Sequence, residues 1–202
     1  MHRRTVLASL AAMIGLVGCA GNWKVEYDWG VEEDVSRTWT VSDVQIRVSD
    51  DLTVSEANSL APNADIVWHG EERGDRKEQV AAILEEAFTS ATSDLKGGTR
   101  VILVARLGHF HAVTPAAVSR APAAVHNISF AVGVFDANSG DRLTDVEWVQ
   151  ADLEAYVGAS AVTAALNGNT QRARIVRHLE AVMRGWLGIG PDQRREFQGI
   201  GR

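Results

Sequence analysis

The sequence predicts an α+β fold, in which a mixed or antiparallel sheet of about five strands carries two helices on one face. Apolar residues alternate with polar ones over several short segments, as in strands. Over two longer segments they recur every three or four residues, as in helices. Along the chain the order is strand, strand, helix, strand, strand, strand, helix. This order favours helices that bury their apolar stripes against one side of a sheet.

Five segments show the alternation or the short apolar run that is typical of strands. These segments are residues 38–50, 65–68, 100–107, 125–135 and 143–155. The third is apolar on both faces, which predicts a central strand that is covered on both sides for much of its length. A turn-rich sequence at residues 136–141 joins the last two, which predicts a long hairpin.

Two segments have the spacing of helices. The first begins after Asp75, where Glu78 completes a capping-box pattern, and it is predicted to end near Gly97. The second covers residues 170–187, and four arginines lie away from its apolar stripe. They are predicted to form the solvated side of the helix, with contact to an acidic partner as the alternative. The four are Arg172, Arg174, Arg177 and Arg184.

The amino terminus has the three parts of a secretory signal. Arg3 and Arg4 precede an apolar run over residues 6–17, and a small residue, Gly18, follows. The run is shorter than the ~20 residues that a membrane-spanning helix needs. The paired arginines leave twin-arginine export open as an alternative to the general secretory route.

Residues 16–19, Leu-Val-Gly-Cys, resemble the lipobox of bacterial lipoproteins. The resemblance implies that Cys19 is acylated, with palmitate among its lipids, and becomes the first residue after cleavage. Cys19 is the only cysteine, so an intramolecular disulfide is excluded. The expected partner is therefore a lipid bilayer, held through more than one acyl chain. By the sorting rule of such lipoproteins, Ala20 in place of aspartate favours the outer membrane, with the domain in the periplasm.

The chain is predicted to divide into four parts. They are a signal peptide at 1–18, an acylated tether at 19–37, a single α+β domain at 38–188 and a flexible tail at 189–202. In the tether, Trp23, Tyr27 and Trp29 are expected to pack onto the domain, with a membrane-interface belt as the alternative. Without residues 1–18, which hold two arginines and no acid, the net charge falls from −6 to −8. This balance argues against nucleic acid as a partner.

The candidate metal ligands are histidines. His109 and His111 are two apart on a predicted strand, so their imidazoles point to the same side, and His126 at the start of the next strand is a candidate third ligand. An exposed or hydrogen-bonded pair without a metal is the alternative. The sequence has no Gly-x-Ser-x-Gly elbow and no phosphate-binding glycine loop. No catalytic residue and no cofactor are therefore predicted.

Five stretches carry a family resemblance: the lipobox at Cys19 and residues 36–39, 54–58, 64–70 and 151–153. Together they resemble a family of uncharacterised envelope lipoproteins from alphaproteobacteria. The family has no assigned activity, so the resemblance transfers no functional residue apart from Cys19. The order of elements is similar, more distantly, to that of α+β accessory lipoproteins of envelope transport and secretion machines.

The main hypothesis is a non-enzymatic binding or assembly module of the cell envelope. Its sheet edge or its helix-free face would contact a protein or lipid-handling partner. One alternative is a metal-dependent periplasmic hydrolase that uses His109, His111 and His126. The other is a lipid carrier, which needs an apolar cavity between sheet and helices.

The acylation of Cys19 is directly testable by mass spectrometry of the protein isolated from cells. We expect a chain that starts at Cys19 and carries acyl groups on that residue. An unmodified and uncut amino terminus would contradict the prediction.

Overall fold

The computed structural model describes residues 22–198, and the predicted signal peptide and Cys19 lie outside this range. The described residues form one sheet of eight strands with five helices, so the predicted α+β class is confirmed. The strands are β1 (Asn22–Glu26), β2 (Trp39–Arg47), β3 (Ile66–Val67), β4 (Thr99–His111), β5 (Ala124–Asp136), β6 (Glu147–Ala151), β7 (Leu153–Ala155) and β8 (Arg195–Gln198). The helices are α1 (Glu33–Ser36), α2 (Arg76–Thr92), α3 (Pro115–Arg120), α4 (Gly158–Leu166) and α5 (Gln171–Trp186).

The sheet is mixed, as predicted, and its central pair is β4 with β5. The main strand order is β2-β4-β5-β6-β1-β8, while β3 pairs with β4 and β7 pairs with β5. Strands β2 and β3 run parallel to β4, and the other pairs are antiparallel. The first part of β5 pairs with β7 and its second part pairs with β6. This change of partner determines where the candidate site lies.

The two long helices, α2 and α5, pack together on one face of the sheet, as predicted. Their apolar stripes and the inward residues of β4 and β5 form one buried cluster. Within it the rings of Phe88 and Phe130 lie 5.1 Å apart, and those of Trp68 and Phe110 meet edge to face at 5.8 Å. Each such buried side chain stabilises the fold by roughly 1.5–3 kcal/mol.

Helix α2 begins as predicted but ends early. The carboxylate of Asp75 accepts hydrogen bonds from the amides of Lys77 and Glu78, at 2.9 and 3.2 Å. The helix ends at Thr92, five residues before Gly97, so the predicted glycine stop is wrong. Gly97 instead belongs to the connection to β4, where its amide donates to the carbonyl of Trp39 at 2.8 Å.

The prediction that β4 is covered on both sides is wrong. Its inward residues, such as Leu103, are fully buried, but Arg106 on the other side is exposed, and Ile102 and Val104 are only partly buried. Both long helices lie on the inward side, so the apolar residues on the outer side mark a partly open sheet face. We call this the helix-free face.

The predicted tether and tail belong to the domain over most of their described lengths. Residues 22–26 form β1 between β6 and β8, and β8 occupies residues 195–198 of the predicted tail. Long-range hydrogen bonds of Glu147 and of Tyr27 hold these segments to the domain. Glu147 accepts hydrogen bonds from the amides of Trp29 and Gly30 and from the Trp186 indole, and Tyr27, which is buried, donates to Asp192 at 2.9 Å.

Gly97 and Gly98 offer a matched test of the α2-to-β4 connection. A Cβ at Gly97 would lie 2.0 Å from the backbone carbon of Thr38, whereas a Cβ at Gly98 meets nothing within 4 Å. We expect Gly97→Ala to lower the free energy of unfolding by about 2–3 kcal/mol. Gly98→Ala should leave it unchanged or raise it by up to about 1 kcal/mol. Urea denaturation of both variants measures the difference, and equal stabilities would contradict this packing.

Candidate ligand-binding site beneath α4

Helix α4 is an apolar helix that is poorly packed. None of its nine residues is buried, and its two largest side chains, Val162 and Leu166, are 60% and 83% exposed. Its first residue, Gly158, and Gly168, two residues after its last, have φ angles of +58° and +73°, a left-handed conformation that glycine adopts without strain. An apolar helix normally hides one face in the core. Here that face instead forms the wall of a cavity.

The cavity lies between α3, α4, β5 and the first turn of α5, and its volume is about 150 Å³. Its apolar wall comes from the segment between β4 and α3 and from the two short helices. These residues are Val113, Val118, Ala161, Ala164 and Ala165. Polar side chains of β5, α5 and the segments that flank α4 complete the lining, and His126 and Arg174 are the two that matter most.

His126 lines the cavity and has an unused hydrogen-bond donor, which is itself buried. Its side chain is 1% exposed, and its Nδ1 accepts a hydrogen bond from the amide of Val113 at 3.4 Å. In the neutral ring the proton therefore lies on Nε2, which has no partner among the described residues. Burial, and to a smaller extent Arg174 and His178, lower the pKa of His126 to about 3, so the ring is neutral at physiological pH.

Arg174 lines the same cavity and has no ion-pair partner within residues 22–198. Its guanidinium lies 3.5 Å from the centre of the Tyr156 ring and donates to the carbonyl of Glu154 at 2.6 Å. Burial lowers the pKa of Arg174, which nonetheless stays positively charged. The site therefore holds a half-buried positive charge whose orientation is fixed by an aromatic ring.

Two of the other three arginines of α5 form ion pairs with described residues, whereas Arg174 does not. Arg172, two residues away, forms ion pairs with Glu71 and Glu86 at 2.8 and 2.7 Å. Arg184 pairs with Asp94 at 3.0 Å. The prediction that the four arginines form one solvated face therefore holds only in part, because their side chains lie in different surroundings.

Asp152 holds together the strands that form the floor of the site. It lies between β6 and β7, where β5 changes partner, and its side chain is 2% exposed. Its carboxylate accepts hydrogen bonds from the amides of Lys24 and Ile128 and from the side chains of Asn127 and Gln150, at 2.6–3.3 Å. These bonds connect β1, β5 and β6 at one point. They position β7 and, beyond it, Tyr156 and α4.

The three histidines that were candidate metal ligands do not converge. The rings of His109 and His111 stack at 5.7 Å on the helix-free face, and Nε2 of His111 lies 2.8 Å from the carbonyl oxygen of Pro62. His126 faces α5 on the opposite side of the sheet, close to His178. Within residues 22–198 there is no group of three histidine, cysteine, aspartate or glutamate side chains placed to hold a metal.

A β-bulge explains where the histidine pair lies. The pairing of β4 with β5 shifts between Leu107 and His109, so the alternation of sides reverses at that point. Leu107 and Phe110 are both buried on the helix side, three residues apart. Without the bulge, His109 and His111 would share the side of Leu107. With it, they lie on the helix-free face.

The helix-free face is the other surface that the sequence predicted as a contact. One row across its strands consists of Arg47, Arg106, Ala131 and Trp148, by the pairing of β2, β4, β5 and β6. Trp148 is 52% exposed, and its ring lies against Gly108. Charged and apolar groups alternate here without indicating one kind of partner, so the envelope protein partner stays a prediction.

Sequence patterns missed α4, and they did not indicate Tyr156 or Gln171 as residues of the site. A signal was present: residues 158–166 read Gly-Ala-Ser-Ala-Val-Thr-Ala-Ala-Leu, which is rich in good helix formers and ends before Asn167 and Gly168. Without an apolar stripe, however, the segment has no helical period to detect.

The chain belongs to a family of unknown function, DUF6778, whose sequence profile matches residues 39–202. The expectation of an uncharacterised family is thereby confirmed, while the alphaproteobacterial origin and the envelope location of its members stay predictions. None of the curated proteins matches the chain.

Two solved structures show how far the structural likeness extends. A predicted lipoprotein from Caulobacter crescentus is 13% identical, with 77% of this chain and 94% of that chain covered and a TM-score of 0.37. The PelC dodecamer from Paraburkholderia phytofirmans is 11% identical, with 77% and 96% covered and a TM-score of 0.32. Likeness at this level carries no argument about function.

The two buried histidines predict a loss of stability in acid. His126 and His178 have pKa values lowered to about 3 and about 4, chiefly by burial, against 6.5 in the unfolded chain. Arg174 and Arg195 add to the lowering, and the carbonyls of Ala151 and Asp152 oppose it at His178. Below pH 6.5 the unfolded chain therefore binds protons that the folded chain does not.

The free energy of unfolding should thus fall by about 1.4 kcal/mol per pH unit for each histidine as the pH drops from 6 to 4.5. Asp152, whose pKa is raised by burial, acts in the opposite sense near the acid end. Urea unfolding at several pH values measures this slope. His126→Gln should remove about half of it, and an unchanged slope would show that His126 is not held neutral by the fold.

Proposed function

We propose that this protein is a lipid-anchored, non-enzymatic binding protein of the bacterial cell envelope, which holds a small ligand in the cavity beneath α4. The cavity itself is the observation that carries the proposal. It combines apolar walls with two convergent polar groups, the arrangement that is typical of ligand sites. The anchor is acylated Cys19, and the proposed location is the periplasmic side of the outer membrane.

The anchor is supported by sequence and by the position of β1. No helix within residues 22–198 has the length and the apolar character to cross a bilayer. Strand β1 begins at Asn22, three residues after Cys19, and three extended residues span at most about 10 Å. An acylated Cys19 would therefore hold the β1 end of the sheet close to the membrane, with no long tether between them.

The size of the cavity favours a small ligand over a lipid. A dry cavity of about 150 Å³ accommodates a molecule of the size of benzene, and drug-sized ligands need roughly 300–1,000 Å³. The cavity beneath α4, at about 150 Å³, has the volume that a benzene-sized molecule needs. A carrier of long acyl chains is therefore disfavoured by volume, and a three-histidine hydrolase by the separation of His126 from His109 and His111.

Methyl NMR of the full chain reconstituted in nanodiscs tests the proposal. Benzyl alcohol, benzamide and benzoate serve as probes of suitable size, and the alanine methyl groups of α4 report binding at the site itself. We expect at least one probe to shift the Ala164 methyl resonance in a saturable way, because this methyl lines the cavity. Partition of a probe into lipid does not affect this readout.

Two variants of the same helix provide the control. Ala164→Phe should fill the cavity and abolish the shift of the remaining alanine methyls. Ala159→Phe adds the same ring at an exposed position outside the lining, so binding should persist. If none of the three probes shifts any methyl of α4, the proposed function is wrong.

A further inference from the structure

The charges around the cavity go beyond the presence of a binding site and indicate what it binds. Within residues 22–198 Arg174 forms no ion pair, whereas Arg172 and Arg184 of the same helix do. Asp152 is occupied by four hydrogen bonds, and Glu154 accepts from Arg174 through its backbone carbonyl, while its carboxylate attracts Arg174 without forming an ion pair. Arg174 therefore brings to the apolar cavity a positive charge that no direct ion pair within residues 22–198 neutralises.

His126 adds a second donor with the right protonation state. Its Nε2 carries the ring proton and has no partner among the described residues, so it can donate to an oxygen but cannot accept from a donor. A buried donor without an acceptor destabilises the folded chain. A ligand oxygen placed beside Nε2 would remove this cost.

The amino-terminal end of α5 also favours a negatively charged ligand. The helix has sixteen residues, Thr170 caps it, and its first residue, Gln171, lines the cavity. The amino-terminal end of such a helix carries a partial positive charge that favours anions nearby. Gln171 is itself held in place, since its side-chain amide donates to the backbone carbonyl of Val113 at 3.0 Å. Three independent features thus present positive potential or free donors to one cavity.

The walls restrict the rest of the ligand. Val113, Val118 and the alanines of α4 offer no hydrogen bonds from their side chains, so the body of the ligand must be apolar. An inorganic anion would leave that part of the cavity empty. A planar carboxylate attached to a small apolar group satisfies both ends, because a guanidinium binds carboxylate through parallel hydrogen bonds.

We propose that the cavity beneath α4 binds a small organic acid, with its carboxylate between Arg174 and His126 and its apolar group between α3 and α4. This inference rests on the proposed function, since it names the ligand class of the same site. Tyr156 acts as a positioning residue, because its ring holds the guanidinium of Arg174 in one orientation.

Benzoate and benzamide test the inference, because they have nearly the same shape and differ in charge. The full chain in nanodiscs is titrated with each, and the Ala164 methyl reports the dissociation constant. We expect benzoate to bind at least tenfold more tightly than benzamide, as charge-assisted hydrogen bonds are stronger than neutral ones. In Arg174→Gln the preference should disappear.

Arg172→Gln is the matched control, since it removes an arginine of the same helix that is already ion-paired and does not line the cavity. Its preference for benzoate should equal that of the unsubstituted chain. Equal affinities for the two probes in the unsubstituted chain would overturn the choice of an acid while leaving a binding site in place. If neither benzoate nor benzamide binds, the proposed ligand class is wrong. Only if benzyl alcohol also fails to bind is the proposed function wrong as well.

Discussion

The carboxylate of Asp152 is the contact on which the arrangement of the candidate site depends. It accepts hydrogen bonds from β1, β5 and β6 at the point where β5 exchanges β6 for β7. A buried acid is normally unfavourable, and burial does raise its pKa here. Four donors compensate for that cost, and they hold the chain in place where it leaves β6. Along this path the chain forms β7, Tyr156 and α4.

The cavity follows from two different kinds of packing in one domain. Beneath α2 and α5 the sheet residues are large and fully buried, and they fill the space between the layers. Beneath α4 the facing residues are valines and alanines, which are too small to reach across. The buried polar groups are distributed in the same uneven way. The core cluster is apolar, whereas the cavity retains a neutral His126 and an unpaired Arg174. Departures of this kind from a fully satisfied interior are expected at functional sites.

Local periodicity predicted the parts of the fold that have a period. Strands β2, β4 and β5 and helices α2 and α5 were predicted close to their observed positions, because each buries one side against the core. Strands β1 and β8 were missed, since they are short and depend for their place on pairing with each other and, for β1, with β6. The order of the outer strands is a property of such long-range contacts, which no local pattern contains.

The candidate site was predictable only in part. His126 was recognised as a residue of interest, but as a metal ligand together with His109 and His111. The bulge after Leu107 turns that pair to the opposite side of the sheet, and a single extra residue of this kind leaves no mark in the alternation of the sequence. In the sequence Arg174 cannot be told from Arg172 and Arg184, which are ion-paired. Its distinction is that it lines the cavity without a direct ion pair to the described residues, which only tertiary structure reveals.

A crystal structure of the full chain with benzoate tests most directly whether the cavity beneath α4 is an acid-binding site. The carboxylate is expected within hydrogen-bonding distance of Arg174 and of Nε2 of His126, with the ring against Ala164. Well-defined density for the site that shows the cavity closed by side chains, or benzoate bound only elsewhere on the protein, would contradict the claim.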